Sequence, residues 1–176
     1  MINYFELYGI PMNFNLHTAQ VKSKFYELSR KYHPDRFAQA DDAVRAEALR
    51  MAALNNDAYK VLSNPDATMS YILKQNNLLQ DEEKYNLPPE FLMEMMDLNE
   101  AISDYEMSNA DEQALKNIRQ LLQQQLDEWN ETVKPLTDKF NNGDHSDDLL
   151  LRIKDYYFRK KYLLRIQERI NTFAAH

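Results

Sequence analysis

The sequence has no cysteine and only two glycines, Gly9 and Gly143, in 176 residues. Without cysteine there is no disulfide, no thiolate metal site and no cysteine nucleophile, which fits a reducing compartment. Two glycines are too few for the tight turns of a sheet protein or for a loop that cradles phosphates. No apolar run is long enough to span a bilayer, and Met1-Ile2-Asn3-Tyr4-Phe5 lacks the basic and apolar regions of a signal peptide. The expectation is therefore a cytoplasmic protein without a membrane partner. Positive charge is also short: 21 Lys and Arg stand against 28 Asp and Glu, a net charge of -7. Nucleic-acid binding draws its affinity from cations against phosphates, so no nucleic-acid partner is expected.

What is abundant is Leu, Gln, Glu, Lys, Asn and Asp, the residues of long helices and their caps. With 44% hydrophobic residues the chain can build one core or two small ones, and an all-α protein is expected. Asn3 or Tyr4 through Gly9 reads as a short helix. A second helix is predicted from Thr18 to Tyr32, because Val21, Phe25, Leu28 and Tyr32 recur by four, three and four. A third runs from Asp41 or Asp42 to Leu62, with an apolar face of Val44, Ala48, Met51, Leu54 or Asn55, Ala58 and Leu62. A fourth covers Asp66 to Lys74.

Between the second and third helices lies Arg30-Lys31-Tyr32-His33-Pro34-Asp35-Arg36-Phe37. Pro34 has no backbone N–H and biases His33 away from the α region, so the helix ends near Tyr32. His33, Pro34 and Asp35 then form an exposed corner flanked by Arg30, Lys31 and Arg36. The exposed side of the preceding helix adds Lys22 and Lys24. In an acidic chain this basic surface suits an acidic protein partner, or else it is an ordinary helix stop with solvated side chains.

Gln75 to Pro89 is polar and carries two prolines, so the boundary between halves is placed there; Leu78, Leu79, Tyr85 and Leu87 make it a packed connection. The second half reads as three helices, Glu90 to Met107, Asp111 to about Asn141, and Ser146 to about Phe173, with Ser108 or Asn109 capping the second. Leu115, Ile118, Leu122, Leu126, Trp129, Val133, Leu136 and Phe140 form a stripe with Trp129 in the core, and Pro135 predicts a kink or an early end. In the first of these helices Phe91, Met95, Leu98, Ile102 and Tyr105 fall within about 40° of one direction. Leu92, Met93, Met96, Asp97, Glu100 and Asp104 point elsewhere. Leu and Met beside carboxylates suit a protein-binding surface, the alternatives being packing on the other half or a homodimer.

These motifs carry a family resemblance. The opening Asn-Tyr-Phe-Glu-Leu-Tyr-Gly-Ile-Pro, His33-Pro34-Asp35 and the run Asn55 to Pro65 resemble a J-domain, a helical hairpin with short flanking helices. Thr68 stands where many J-domains have Arg. Combined with Phe91-Leu92-Met93-Glu94, Leu98 and Glu100, the chain is similar to the HscB family of co-chaperones of iron-sulfur cluster assembly. The resemblance implies a J-domain over residues 1–74, a connecting segment over 75–89 and a C-terminal three-helix bundle over 90–176.

It also implies partners. His33, Pro34 and Asp35, with Lys22, Lys24, Arg30, Lys31 and Arg36, would dock on a heat-shock ATPase chaperone of the HscA/DnaK class and stimulate it. Leu92, Met93, Met96, Asp97, Glu100, Asp104 and, from the last helix, Tyr162 would hold an IscU-type iron-sulfur scaffold protein. With no cysteine this chain cannot hold the cluster through thiolates, and it lacks the cysteine-rich metal site of the family's animal members, which points to a bacterial-type member. No cofactor is implied. A J-domain co-chaperone with another client, or a helical binding protein that stimulates no ATPase, is the alternative reading. His17, His33, His145 and His176 have no helical ligand spacing, so no metal site is expected. An enzyme using His33 with Asp35 is not expected either, because an exposed turn offers no paired nucleophile.

Overall fold

A computed structural model describes residues 2–108 and 111–173; among these, all regular structure is helical. Contacts divide the chain into two compact units, Met1–Asn77 with Phe140–Gly143, and Leu78–Lys139 with Asp144–His176.

The first unit contains α1 (Tyr4–Tyr8), α2 (Thr18–Lys31), a 3₁₀ turn (Pro34–Phe37), α3 (Asp42–Leu62) and α4 (Pro65–Gln75). Each start has a sequence cause. The Asn3 side chain accepts from Phe5 N–H, Asp41 from Val44 N–H, and Asn64 from Asp66 and Ala67 N–H, with Pro65 behind it in the first turn. Gly9 stops α1 at φ +62°, a left-handed cap, where its own N–H bonds to the Glu6 carbonyl and that of Ile10 to Phe5.

α2 and α3 pair antiparallel: Phe25 stacks on Tyr59 at 4.3 Å, and one helical turn on Asn55 Nδ2 reaches Ser29 Oγ at 3.1 Å. The sequence left Leu54 or Asn55 open as the core position, and it is Asn55 that is buried. Tyr8 Oη donates to its Oδ1 at 2.9 Å, and its Nδ2 also donates to the Phe25 carbonyl at 3.0 Å. One amide thus links α1, α2 and α3, and a buried amide is tolerated only because its hydrogen bonds are made. Thr68 is buried with Oγ1 donating to the Val61 carbonyl at 2.9 Å.

Val44 departs from the expectation. It belongs to the apolar face by periodicity, yet it is 43% exposed. The cause is length. α3 starts beyond the end of its antiparallel partner, so its first turn has no helix opposite it.

The second unit contains α5 (Pro89–Glu94), α6 (Met96–Met107), α7 (Glu112–Asn141, shared at its end with the first unit) and α8 (Asp147–Phe173). The single helix expected over Glu90 to Met107 is two, joined at Met95 with ψ -5°. There the Asn99 side chain donates to the Met95 carbonyl at 2.9 Å alongside the Asn99 backbone N–H, so one carbonyl at the joint serves two donors. α7 neither ends nor restarts at Pro135. Its ring is exposed, and Val133, Leu136 and Phe140 around it are buried, so packing outweighs the lost hydrogen bond, about 3 kcal/mol. Ser108 closes α6 and does not open α7: its Oγ donates to the Tyr105 carbonyl, while Asp111 accepts from Gln113 N–H. Asn109, the other expected cap, lies outside the described residues.

Cross-helix contacts give the direction of each helix. Asn99 meets Tyr162 and Glu106 meets Arg169, so α6 and α8 run parallel; Trp129 Nε1 donates to the Tyr156 carbonyl at 2.7 Å, while Leu122 shares a cleft with Ile170, so α7 runs against α8. The result is an up-down-up three-helix bundle with Trp129 in its core. Residues ahead of α5 pack on α8: Tyr85 stacks on Phe158 at 4.3 Å and donates to Asp155 at 2.7 Å, and Lys154 bonds Glu83 at 2.5 Å.

Candidate functional site

Two surfaces carry chemistry, one in each unit. In the first unit α2 closes with the Tyr32 N–H on the Leu28 carbonyl, and His33 is extended at φ -62°, ψ 132°, as a residue before proline must be. His33 then caps the 3₁₀ turn. Its carbonyl accepts from Arg36 N–H at 3.0 Å and its Nδ1 accepts from Asp35 N–H at 3.3 Å. With Nδ1 engaged as an acceptor, Nε2 is the nitrogen of the neutral ring left to donate. Asp35 Oδ2 sits 3.7 Å from the same Nδ1. His33, Pro34 and Asp35 are all exposed, so the corner holds a donor, a rigid turn and a carboxylate in a short fixed span.

The five expected cations are not equivalent. Arg36 Nη1 donates to the Arg30 carbonyl at 3.3 Å, which ties the turn to the end of α2. Lys24 pairs with Glu27 at 3.2 Å, and Lys31 Nζ lies 5.2 Å from the Tyr32 ring centroid. Lys22 and Arg30 are exposed. Tyr26, which the sequence reading passed over, is 49% exposed, and its spacing of four from both Lys22 and Arg30 puts it between them on one face. That spacing was the available signal.

In the second unit, Phe91, Met95, Leu98, Ile102 and Tyr105 are buried, as their common direction requires. Opposite them Leu92, Met93 and Met96 are 43%, 68% and 62% exposed, and Asp97, Glu100 and Asp104 are exposed beside them. The break at Met95 leaves this division intact. Met107, 80% exposed, extends the face. It lies eleven residues after Met96, three helical turns, and beyond Asp104 on the same helix.

Tyr162 stands beneath the face. Its hydroxyl accepts from Asn99 Nδ2 at 2.8 Å and its ring meets Phe91 edge-on at 5.6 Å, and it is half-buried. It sets the position of α5 and α6. His176, one of the four histidines weighed for a metal site, lies outside the described residues.

Residues 87–171 match the family model described as the HSCB C-terminal oligomerisation domain. A protein of Vibrio vulnificus (strain YJ016), named a co-chaperone protein HscB homologue, is 41% identical over 115 residues, covering 65% of this chain and 67% of that protein. A protein of the same name from Aliivibrio salmonicida (strain LFI1238) is 34% identical over 138 residues, 76% of this chain and 81% of that one. Among solved structures, the chaperone HscB from Vibrio cholerae superposes with a TM-score of 0.75 at 26% identity, covering 99% of this chain and 98% of that one. Human co-chaperone protein HscB gives a TM-score of 0.78 at 25% identity over 98% of this chain and 82% of that one.

Proposed function

The chain belongs to the HscB co-chaperone family, and from that premise we propose that it couples an HscA-type heat-shock ATPase to an IscU-type scaffold protein during iron-sulfur cluster assembly in the cytoplasm. It performs no chemistry of its own. The His33 corner docks on the ATPase and stimulates hydrolysis there, while the face from Leu92 to Asp104 holds the scaffold.

The observation that carries this reading is the coexistence, in one chain, of the His33-Pro34-Asp35 corner and an exposed Leu-Met-carboxylate face on separate compact units. A corner that only stopped a helix would not need a face that holds a client. The corner works by geometry. Pro34 and the Arg36–Arg30 bond fix the turn, so little conformational freedom is lost when His33 Nε2 and the Asp35 carboxylate meet their partners. Lys22, Arg30 and Lys31 raise the encounter rate with an acidic surface and make it sensitive to salt. On the second face Leu92, Met93 and Met96 supply adaptable apolar contact, and Asp97, Glu100 and Asp104 select a basic partner.

The coupling is tested by titrating the scaffold into the ATPase reaction. The full chain should lower the scaffold concentration needed for half-maximal stimulation, and Leu92→Ala/Met96→Ala should abolish that shift. A second occupant competes for the same face, because the matching family model is described as an oligomerisation domain. A second copy of this chain would cover Leu92, Met93, Met96 and Met107, and a molar mass twice that of the monomer, lost in the same double variant, would favour it.

A further inference from the structure

We propose that the groove beside the His33 corner, walled by Tyr32, Phe37 and Val44, receives one protruding apolar side chain from an acidic surface of the ATPase. The inference rests on the reading of the corner as the ATPase docking site and adds to it a pocket that sets affinity.

Three observations lead there. The groove has a volume of about 300 Å³ and is lined by Tyr32, Phe37, Ala43, Val44, Glu47 and Ala48. A dry apolar cavity of ~150 Å³ already takes a benzene ring, so one Leu, Met or Phe side chain fits here. The groove exists because the first turn of α3 has no helix opposite it, which leaves Val44 43% exposed. It is also rigidly joined to the corner. Phe37 closes the 3₁₀ turn that Pro34 opens, and Tyr32 is the residue before His33, so both walls are fixed by the elements that hold the triplet.

The rim says what surrounds the occupant. Glu47 is the one carboxylate among the lining residues, and both its oxygens are taken by Arg50, at 2.8 and 2.7 Å. Nearby, Asp41 caps Val44 N–H and Asp42 is paired with Arg45. Lys31 lies over the Tyr32 ring, and Arg30 and Arg36 flank the turn. Glu47 and Asp42 are paired within α3, Asp35 on the turn is exposed, and around the groove Arg30, Lys31 and Arg36 outnumber that one carboxylate. An apolar side chain carried on a basic surface would be repelled, whereas one on an acidic surface is drawn in.

The test is ATPase stimulation as a function of co-chaperone concentration with the full chain. Val44→Trp and, from the neighbouring position on α3, Ala43→Phe fill it; both positions are exposed, and thermal melts show whether the fold is kept. Burying one apolar side chain is worth about tenfold in affinity, so each filled variant should need about ten times more protein for half-maximal stimulation, with the saturated rate unchanged. Val44→Ala, which keeps the groove open, should stay within about threefold of wild type by the same scaling. If folded Val44→Trp and Ala43→Phe both titrate like wild type while His33→Gln is inactive, the groove is refuted and the corner stands. If wild type gives no stimulation, the reading of the corner fails and takes the groove with it.

Discussion

Asn99 Nδ2 donates to the Tyr162 hydroxyl at 2.8 Å, joining α6 to α8 directly beneath the exposed Leu-Met face. The same amide also donates to the Met95 carbonyl at 2.9 Å, at the joint between α5 and α6. One side chain therefore bonds both the joint between the two helices and the seat of the face.

Tyr162→Phe removes one hydrogen bond and leaves half of the Asn99 amide unpaired in a partly buried site. A loss of about 1 kcal/mol is expected, lowering the melting temperature by roughly 2–4 °C. Scaffold affinity should fall less than in Leu92→Ala/Met96→Ala, and titration calorimetry on both variants checks the order.

Asn55→Ala should be the most damaging single change in the first unit. It removes the closer acceptor of the Tyr8 hydroxyl, leaving the backbone carbonyl of residue 55 at 3.3 Å, and opens a gap between three helices; burial also keeps that hydroxyl un-ionised well above the ordinary tyrosine range. A loss of about 2–4 kcal/mol is expected from urea unfolding, with ATPase stimulation lost at temperatures where wild type works.

Leu92→Ala/Met96→Ala removes exposed apolar surface and should leave stability within about 0.5 kcal/mol of wild type. Scaffold binding should nonetheless weaken by about tenfold or more. Asp97→Asn/Glu100→Gln should flatten the salt dependence of that binding, measured from 50 to 300 mM salt.

The contacts ahead of α5 predict the pH profile of the second unit. Lys154, hydrogen-bonded to Glu83, holds its carboxyl below the usual carboxylate range, with the Gln80 N–H adding to the effect. A depressed carboxyl stabilises above its unfolded value, about 4.3, and that stability is lost as pH falls through the lower folded value. The melting-temperature gap between wild type and Glu83→Gln should therefore be full at pH 7 and close as pH drops from about 5 to 3. At the other end burial, with the Asp155 bond, pushes the Tyr85 hydroxyl up to about 12. That contribution is complete below about pH 10 and lost as pH rises through the folded value, so Tyr85→Phe should flatten the alkaline limb.

Much of this was legible in the sequence because it follows from local rules. Pro34 stops α2 by removing a donor, Gly9 stops α1 by taking φ +62°, and the periodicity of Phe91 to Tyr105 separates buried from exposed positions on α5 and α6. What was not legible depends on neighbours distant in sequence. Periodicity gives Val44 a direction but not the length of the helix opposite, so it read as core and became the wall of a groove. Asn55 reads as polar until Tyr8, Phe25 and Ser29 arrive to satisfy it. Pro135 reads as a breaker, and only the packing of Val133, Leu136 and Phe140 shows why α7 runs through it. The break between α5 and α6 at Met95, where the Asn99 side chain shares the carbonyl, has no sequence signature.

The central claim is that His33-Pro34-Asp35 triggers a partner's ATPase, and the steady-state hydrolysis rate of an HscA-type chaperone with scaffold present tests it most directly. The account predicts strong stimulation by the wild-type chain and none by His33→Gln at any concentration, with both proteins melting at the same temperature. Equal stimulation by the two, or no stimulation by wild type, would contradict it.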